Sequence, residues 1–169
     1  ITGDYTASVW VNADVAQNAW STIYGNIRTA TSENSWVLQR KNTNDQIIVQ
    51  HNYSVFNTGI TFSEITETWR NIAIVYEAGT IRSYIDGELR NTGAIGAPDS
   101  RPGHFHIGAD RFGDAGSRFN GQIDDLAIFD RALSQTDIQA IVNDTGAGVG
   151  QTSASSGGDI LDGGAGNDQ

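Results

Sequence analysis

The chemistry open to this chain rests on three histidines, a scatter of aspartates and a glycine-loosened loop. His104 and His106 alternate around Phe105, so on a strand they share one face. Asp110, Arg111, Phe112, Asp114 and Arg118 follow, with Gly113 and Gly116 between them. Charged forks, imidazoles and an aromatic ring on a mobile loop suit a polyhydroxylated ligand, which needs donors and acceptors for its hydroxyls and a face to stack on. His51, Asn52 and Tyr53, just after a strand pattern, form a smaller group of the same kind. Plainer roles stand beside these: the histidine pair also suits the polar side of a strand, and Arg111 and Arg118 also suit pairing with nearby aspartates. Trp10, Trp20, Trp36 and Trp69 are expected in the core rather than as binding platforms.

Catalysis finds little support. A glycosidase needs two carboxylates at a set separation, one with a raised pKa. Glu64 and Glu67 fall in a polar turn before Trp69 instead. No nucleophile elbow accompanies the serines. A lyase would need a base beside a cation, and His104, His106 and Arg111 fill that role only by stretching. Zinc at His104 and His106 lacks a clear third ligand. No catalytic residue is assigned, and the chain reads as a non-enzyme.

Asp124 and Asp125 are neighbours in an apolar strand pattern, so their side chains are expected on opposite faces. One carboxylate would then face inward or the rim, where it is costly unless paired. Calcium, an arginine or backbone N–H groups could each compensate it. Hard oxygens near strand ends are what calcium takes, which adds Asp4, Gly25 and Asn26 as candidate helpers to Asp124 and Asp125.

Twenty acidic residues stand against ten basic ones, for a formal charge of -10. Such a surface repels nucleic acid and anionic membranes. Without cysteine, neither a disulfide nor a thiolate site can form; in a soluble, glycine-rich, acidic chain this points to a bacterial exoprotein. No apolar run approaches the ~20 residues that span a bilayer. No signal peptide is visible, and the abrupt start at Ile1 points to an excerpt of a longer protein.

The elements that must position these groups read as β almost throughout. Tyr5, Ala7, Val9 and Val11 alternate with polar or half-polar neighbours, a half-buried strand. Residues 20–25, 35–40, 46–50, 71–76, 81–85, 105–108 and 122–129 predict further strands. Asn42-Thr43-Asn44-Asp45 is expected to close one hairpin, and Asp86-Gly87 marks a type I′ turn. Short strands with turn signals between them indicate a sandwich or a barrel. One helix is expected after Ser134, with Asp137 completing a capping box and Leu133, Ile138, Ile141 and Val142 forming its stripe. It is expected across an end of the sandwich. Residues 145–156, rich in Gly, Ser and Thr, read as a linker, so the domain spans 1–144 and a third segment covers 157–169.

Three stretches carry a resemblance: Tyr5-Thr6-Ala7-Ser8-Val9-Trp10-Val11; Trp69-Arg70-Asn71-Ile72-Ala73 with Tyr84-Ile85-Asp86-Gly87-Glu88-Leu89; and Phe119-Asn120-Gly121-Gln122-Ile123-Asp124-Asp125-Leu126-Ala127-Ile128-Phe129-Asp130-Arg131-Ala132-Leu133-Ser134. In this order they resemble the bacterial laminin-G-like, concanavalin A-like lectin/glucanase domains. The resemblance implies an all-β, two-sheet antiparallel jelly roll, typically with a structural calcium for which Asp124 is the first candidate, and often a glycan-binding role. The Glu-x-Asp-x-x-Glu run of the related β-glucanases is missing. These domains usually begin with a strand before the Tyr5 strand, so an unpaired sheet edge is expected here.

Gly163-Gly164-Ala165-Gly166-Asn167-Asp168, with Asp159-Ile160-Leu161-Asp162 before it, resembles the RTX nonapeptide repeat. The resemblance implies calcium held by Asp159, Asp162 and Asp168 once further repeats stack. It also implies type I secretion from a Gram-negative bacterium and an extracellular location. The expected function is a noncatalytic, calcium-stabilised carbohydrate-binding module of a secreted RTX protein, with a polysaccharide or glycan as partner. The alternative is a structural, protein-binding or self-assembling module of an adhesin or filament that meets neighbouring chains through the sheet edge. A polysaccharide lyase or hydrolase ranks below both.

Overall fold

Alternating apolar residues demand two layers, because a strand with one buried face needs a second sheet to bury it. The computed structural model describes residues 3–27, 34–41, 44–98, 104–109 and 116–144. Its strands are β1 (Tyr5–Ala13), β2 (Thr22–Ile27), β3 (Asn34–Arg40), β4 (Gln46–Asn52), β5 (Ser54–Thr61), β6 (Arg70–Glu77), β7 (Thr80–Ile85), β8 (Glu88–Ala94), β9 (His104–Ile107) and β10 (Gly121–Phe129). A 3₁₀ turn, Phe62–Ile65, precedes β6, and helix α1 spans Gln135–Asn143. Two five-stranded antiparallel sheets result, in the orders β10-β1-β6-β7-β8 and β5-β4-β3-β2-β9. This is the expected jelly-roll sandwich.

Sequence signals and structure agree at the turns. Asp86 and Gly87 both take positive φ, 49° and 81°, as a type I′ hairpin requires. The Asp86 carboxylate also accepts the Asn71 N–H at 2.9 Å and an Arg70 N–H at 2.7 Å. Two strands fall outside the expected ranges: β8, which the Asp86-Gly87 turn implies without bounds, and β5. The buried set of β5 is Phe56, Thr58 and Ile60, and the polar Thr58 hides the alternation. Thr58 Oγ1 is nonetheless satisfied, donating to the Ile47 carbonyl at 2.7 Å.

The core gathers Tyr5, Ala7, Val9 and Val11 from β1, Trp36 and Leu38 from β3, Ile47 and Val49 from β4, and Ile72 and Ile74 from β6. Of the four tryptophans, Trp36 is core and Trp10 half-buried, whereas Trp20 and Trp69 are 44% and 40% exposed. The expectation that all four lie in the core is corrected for Trp10, on the outer face of β1, and for Trp20 and Trp69, which sit in connections at one end of the sandwich.

Helix α1 starts as its capping box dictates. Ser134 N–H donates to Asp137 Oδ2 at 3.0 Å, and Asp137 N–H returns a bond to Ser134 Oγ. It does not cross an end of the sandwich. Leu133 and Ile138 pack with Ala73, Val75 and Tyr84 on the outer face of the first sheet. That face is apolar enough to need a cover, and Thr6 Oγ1 anchors the approach by donating to the Arg131 carbonyl and accepting from Leu133 N–H.

Among the described residues, one flank is left open. β5 packs against β7 and β8, which puts the other two edges, β9 and β10, together at the opposite flank. A Cβ added at Gly108, just after β9, would lie 3.7 Å from Ile123 of β10. Phe105, Ile107 and Ile128 point coreward here but stay 43%, 54% and 41% exposed. β10 pairs with β1 only, among the described residues.

Gly121 opens β10 at φ 137°, and a Cβ there would stand 2.3 Å from the Asn12 carbonyl oxygen. Gly79 also has positive φ, 89°, but open space around it. Gly121→Ala should therefore destabilise by at least ~2 kcal/mol and Gly79→Ala by only ~1 kcal/mol, measured by urea unfolding. Equal costs at the two positions would remove the close approach to Asn12 as the cause.

Candidate functional site

Connections from four parts of the chain meet at the end of the sandwich where β1 finishes. The loop 14–21 is tied to the entry of β10 by Gln17. Its side-chain oxygen accepts the Asn120 N–H at 3.1 Å, and its amide nitrogen donates to the carbonyls of Asp14 and Asn120. Asn18 Nδ2 donates to the Arg118 carbonyl at 2.8 Å, joining the same loop to the segment that follows residue 115. Arg40, the last residue of β3, donates its Nη1 to the carbonyls of Gln17 and Asn18 at 3.2 and 3.3 Å. Its guanidinium lies 5.6 Å from the centre of the Phe62 ring. Asp45, in the β3–β4 turn, accepts from Ser63 Oγ at 2.6 Å and from Ser63 N–H, which fixes the 3₁₀ turn against it.

Between these walls lies a depression of about 390 Å³ lined by Val15, Gln17, Arg40, Asp45, Phe62, Ser63 and Thr66. Its polar groups are of both kinds. The Arg40 Nε has no acceptor among the described residues, and Asp45 is an exposed carboxylate. One lining residue only, Asp45, is a carboxylic acid, so the pair that glycoside hydrolysis needs is not assembled here. None of Val15, Gln17, Arg40 and Asp45 stood out by sequence. Asn42-Thr43-Asn44-Asp45 was read for its turn alone, and the position of Arg40 one strand-end before that turn was the available signal.

The residues singled out by sequence are dispersed. His104 and His106 do share the outer face of β9, their rings 6.4 Å apart, while Phe105 turns inward against Tyr24 and Trp36. Among the described residues no three His, Asp or Glu side chains cluster as metal ligands. Arg118 is exposed at the opposite end of the sandwich from His104, beside the loop 14–21. Asp110, Arg111, Phe112 and Asp114 lie outside the described residues, as do Asp159, Asp162 and Asp168. Tyr53 is 75% exposed in the β4–β5 turn, at the same end of the sandwich as His104 but across the sheet from it.

The five calcium candidates do not gather round one point. Asp4 precedes β1 and its carboxylate accepts the Ala78 N–H at 2.8 Å, pinning the β6–β7 turn. Asp124 pairs across to Trp10, six positions further along β1, roughly 20 Å away at strand spacing. Gly25 and Asn26 stand in the other sheet, on β2. Gly25 has a packing reason of its own, since a Cβ there would come within 2.8 Å of Val37. Nor do Asp124 and Asp125 divide between two faces. The β1–β10 register shifts between Ser8 and Trp10, Asp125 takes φ 46°, and both carboxylates are exposed. The bulge absorbs the alternation, and Asp125 N–H donates to Asp124 Oδ1 at 2.9 Å. The expected buried carboxylate is thus absent at this step.

Residues 1–139 match the model of the concanavalin A-like lectin/glucanases superfamily. The chain belongs to that superfamily. No curated protein sequence matches this superfamily member. Among solved structures, it is similar to domain 4 of the extracellular arabinanase AbnA from Geobacillus stearothermophilus, in complex with arabinotriose. Identity is 21% and the TM-score 0.66, covering 83% of this chain and 67% of that one. It is also similar to a candidate carbohydrate-binding protein from Bacteroides ovatus, at 18% identity and TM-score 0.64, covering 82% of this chain and 40% of the other. A Trypanosoma rangeli sialidase mutant displaying trans-sialidase activity matches at 15% identity and TM-score 0.61. That match covers 84% of this chain but only 23% of the sialidase. At such identities the likeness establishes the lectin/glucanase fold.

His51 was expected at a ligand site and is instead part of the superfamily fold's core. It is 1% exposed, with Tyr5 Oη 2.7 Å from Nε2 and the Gly96 carbonyl 2.7 Å from Nδ1. The Gly96 carbonyl can only accept, so Nδ1 carries the proton and Nε2 accepts from the tyrosine. Burial pushes the imidazole pKa down to about 4, the Gly96 hydrogen bond pulling weakly the other way. An unfolded histidine takes its proton near pH 6.5. The stabilising contribution is therefore complete above that pH and is lost as pH falls from about 6.5 towards about 4. Unfolding free energy should drop by about 2 kcal/mol from this group between pH 7 and pH 5. His51→Phe should flatten that slope in urea titrations, and an unchanged slope would remove His51 as its source.

Proposed function

We propose that this domain is a noncatalytic carbohydrate-binding module that engages glycan at the end of the sandwich built by residues 14–21, 40–41, 44–45, 62–66 and 116–120. The observation that carries the reading is the preformed polar cavity with a single carboxylate, which offers hydrogen bonds without the acid pair for hydrolysis. Trp20 and Trp69, exposed in connections at the same end, add aromatic surface of the type sugars stack on. The arabinotriose complex of the AbnA domain supports the class of ligand. Arg118 borders this end directly, and Asp110, Arg111, Phe112 and Asp114 precede it in the chain as further proposed contacts; His104, His106 and Tyr53 are more remote ones.

Calcium belongs to the proposal without a residue set drawn from both sheets. Asp124 with Asp125 at the exposed β10 bulge, and Asp159, Asp162 and Asp168 in the RTX-like tail, are the carboxylates offered to it. Secretion to the outside of a Gram-negative cell follows from the same tail resemblance.

A second reading is favoured by one observation. Among the described residues, the β9–β10 flank exposes Phe105, Ile107 and Ile128 beside edges that no further strand pairs with. A neighbouring chain could add a strand there, as in sheet augmentation, making the domain an assembly unit.

A glycan array run in millimolar calcium and again in EDTA tests the first reading, with sedimentation velocity on the same sample for the second. Binding without product release is expected, and binding lost in EDTA would tie calcium to it. A folded protein with no array hit that sediments as an oligomer would transfer the function to the open flank. Release of cleaved sugar would overturn the noncatalytic assignment.

A further inference from the structure

The cavity at Arg40 has a definite chemical preference, and the inference drawn from it rests on the carbohydrate-binding reading. Arg40 is held as a rigid donor. Its Nη1 is occupied by the Gln17 and Asn18 carbonyls and its plane rests near the Phe62 ring. Its Nε is buried and has no acceptor among the described residues, and the Arg40 side chain borders the depression. No carboxylate pairs with it among the described residues, although Asp45 lines the same space.

Asp45 is equally fixed. Ser63 Oγ and N–H hold its carboxylate, and its own backbone carbonyl accepts the Phe62 N–H at 3.1 Å. Oδ2 takes both Ser63 contacts, and Oδ1 keeps lone-pair capacity for one further donor. Gln17, Ser63 and Thr66 direct their donor groups to the protein itself. The ligand therefore meets one cationic donor, one anionic acceptor, and an apolar border from Val15, which is 73% exposed at the rim.

Charge decides between ligand classes. An anionic sugar would gain at Arg40 but stand against Asp45 on a protein of formal charge -10. A cationic amino sugar would gain at Asp45 but stand against Arg40. A neutral sugar suffers neither repulsion, and its vicinal hydroxyls both donate and accept, so they satisfy both groups at once. The depression, at about 390 Å³, lies at the lower end of the usual range for small-ligand sites. We infer that this cavity seats one neutral sugar residue, a chain end or a branch, with Arg40 donating to and Asp45 accepting from adjacent hydroxyls, and that it discriminates against uronic and sulfated glycans.

The test uses the whole chain and isothermal titration with neutral arabino-, xylo-, gluco- and manno-oligosaccharides beside galacturonate and sulfated galactan oligosaccharides. Two variants accompany the wild type. Asp45→Asn keeps the shape and removes the anionic acceptor. Val15→Trp fills the mouth from an exposed position, where the fold has nothing to lose, and unfolding midpoints check both. Expected are binding of a neutral oligosaccharide only, about tenfold or greater weakening in Asp45→Asn, and loss of binding in Val15→Trp. Wild-type affinity in both variants would overturn this site while leaving the carbohydrate-binding reading intact. Preference for the charged glycans would overturn the neutral class. No binding of any sugar by the wild type would overturn the underlying reading and this inference with it.

Discussion

Tyr5 holds the two sheets in one register. From β1 its ring meets Trp36 of the facing sheet at 5.1 Å and Tyr76 of the neighbouring strand at 5.8 Å, while its hydroxyl is bonded to His51 of β4. A buried tyrosine needs a partner for its hydroxyl, and a buried histidine needs one for each ring nitrogen. The Tyr5–His51–Gly96 chain meets all of these demands at once. It converts a non-directional apolar contact into one that fixes which strand faces which. Displacing β1 by one residue would turn Tyr5 outward and strand His51 in the core.

From that register the asymmetry of the molecule follows. β1 presents Ala7, Val9 and Val11 to the core and Thr6 and Ser8 to the other side. Thr6 then ties down the segment leading to α1, and Ser8 pairs with Asn71. The central strands of the first sheet are thus covered on both faces. The sandwich spends its apolar surface there and leaves the β9–β10 flank partly open and the β1 terminus to polar connections. Loops at that terminus are cross-linked by side-chain to backbone bonds from Gln17, Asn18, Arg40 and Asp45. A site built this way is rigid before a ligand arrives, so little ordering entropy is left to oppose binding.

The elements were legible where periodicity and turn chemistry agree. β1, the β6–β7–β8 meander with its Asp86-Gly87 turn, and the capped α1 all announce themselves locally. β5 did not, because Thr58 occupies a core position that only its bond to the Ile47 carbonyl makes tolerable. The site was less legible still. His51 has the composition of a ligand contact and the location of a core residue, a difference made by burial alone. Asp124 and Asp125 looked like an inward and an outward carboxylate until one bulge placed both in solvent.

Local sequence therefore determined most of the strands, the superfamily signature, the helix start and the lack of an acid pair on one strand. Those features depend on residues a few positions apart, whose relation the chain itself enforces. The tertiary structure decided which side of the first sheet α1 covers, that the tryptophans divide between core and surface, and that Arg40 and Asp45 face one cavity. These depend on strands brought together from distant parts of the chain. Whether a side chain there is core, cover or contact is set by the partner opposite it, and no local pattern encodes that partner.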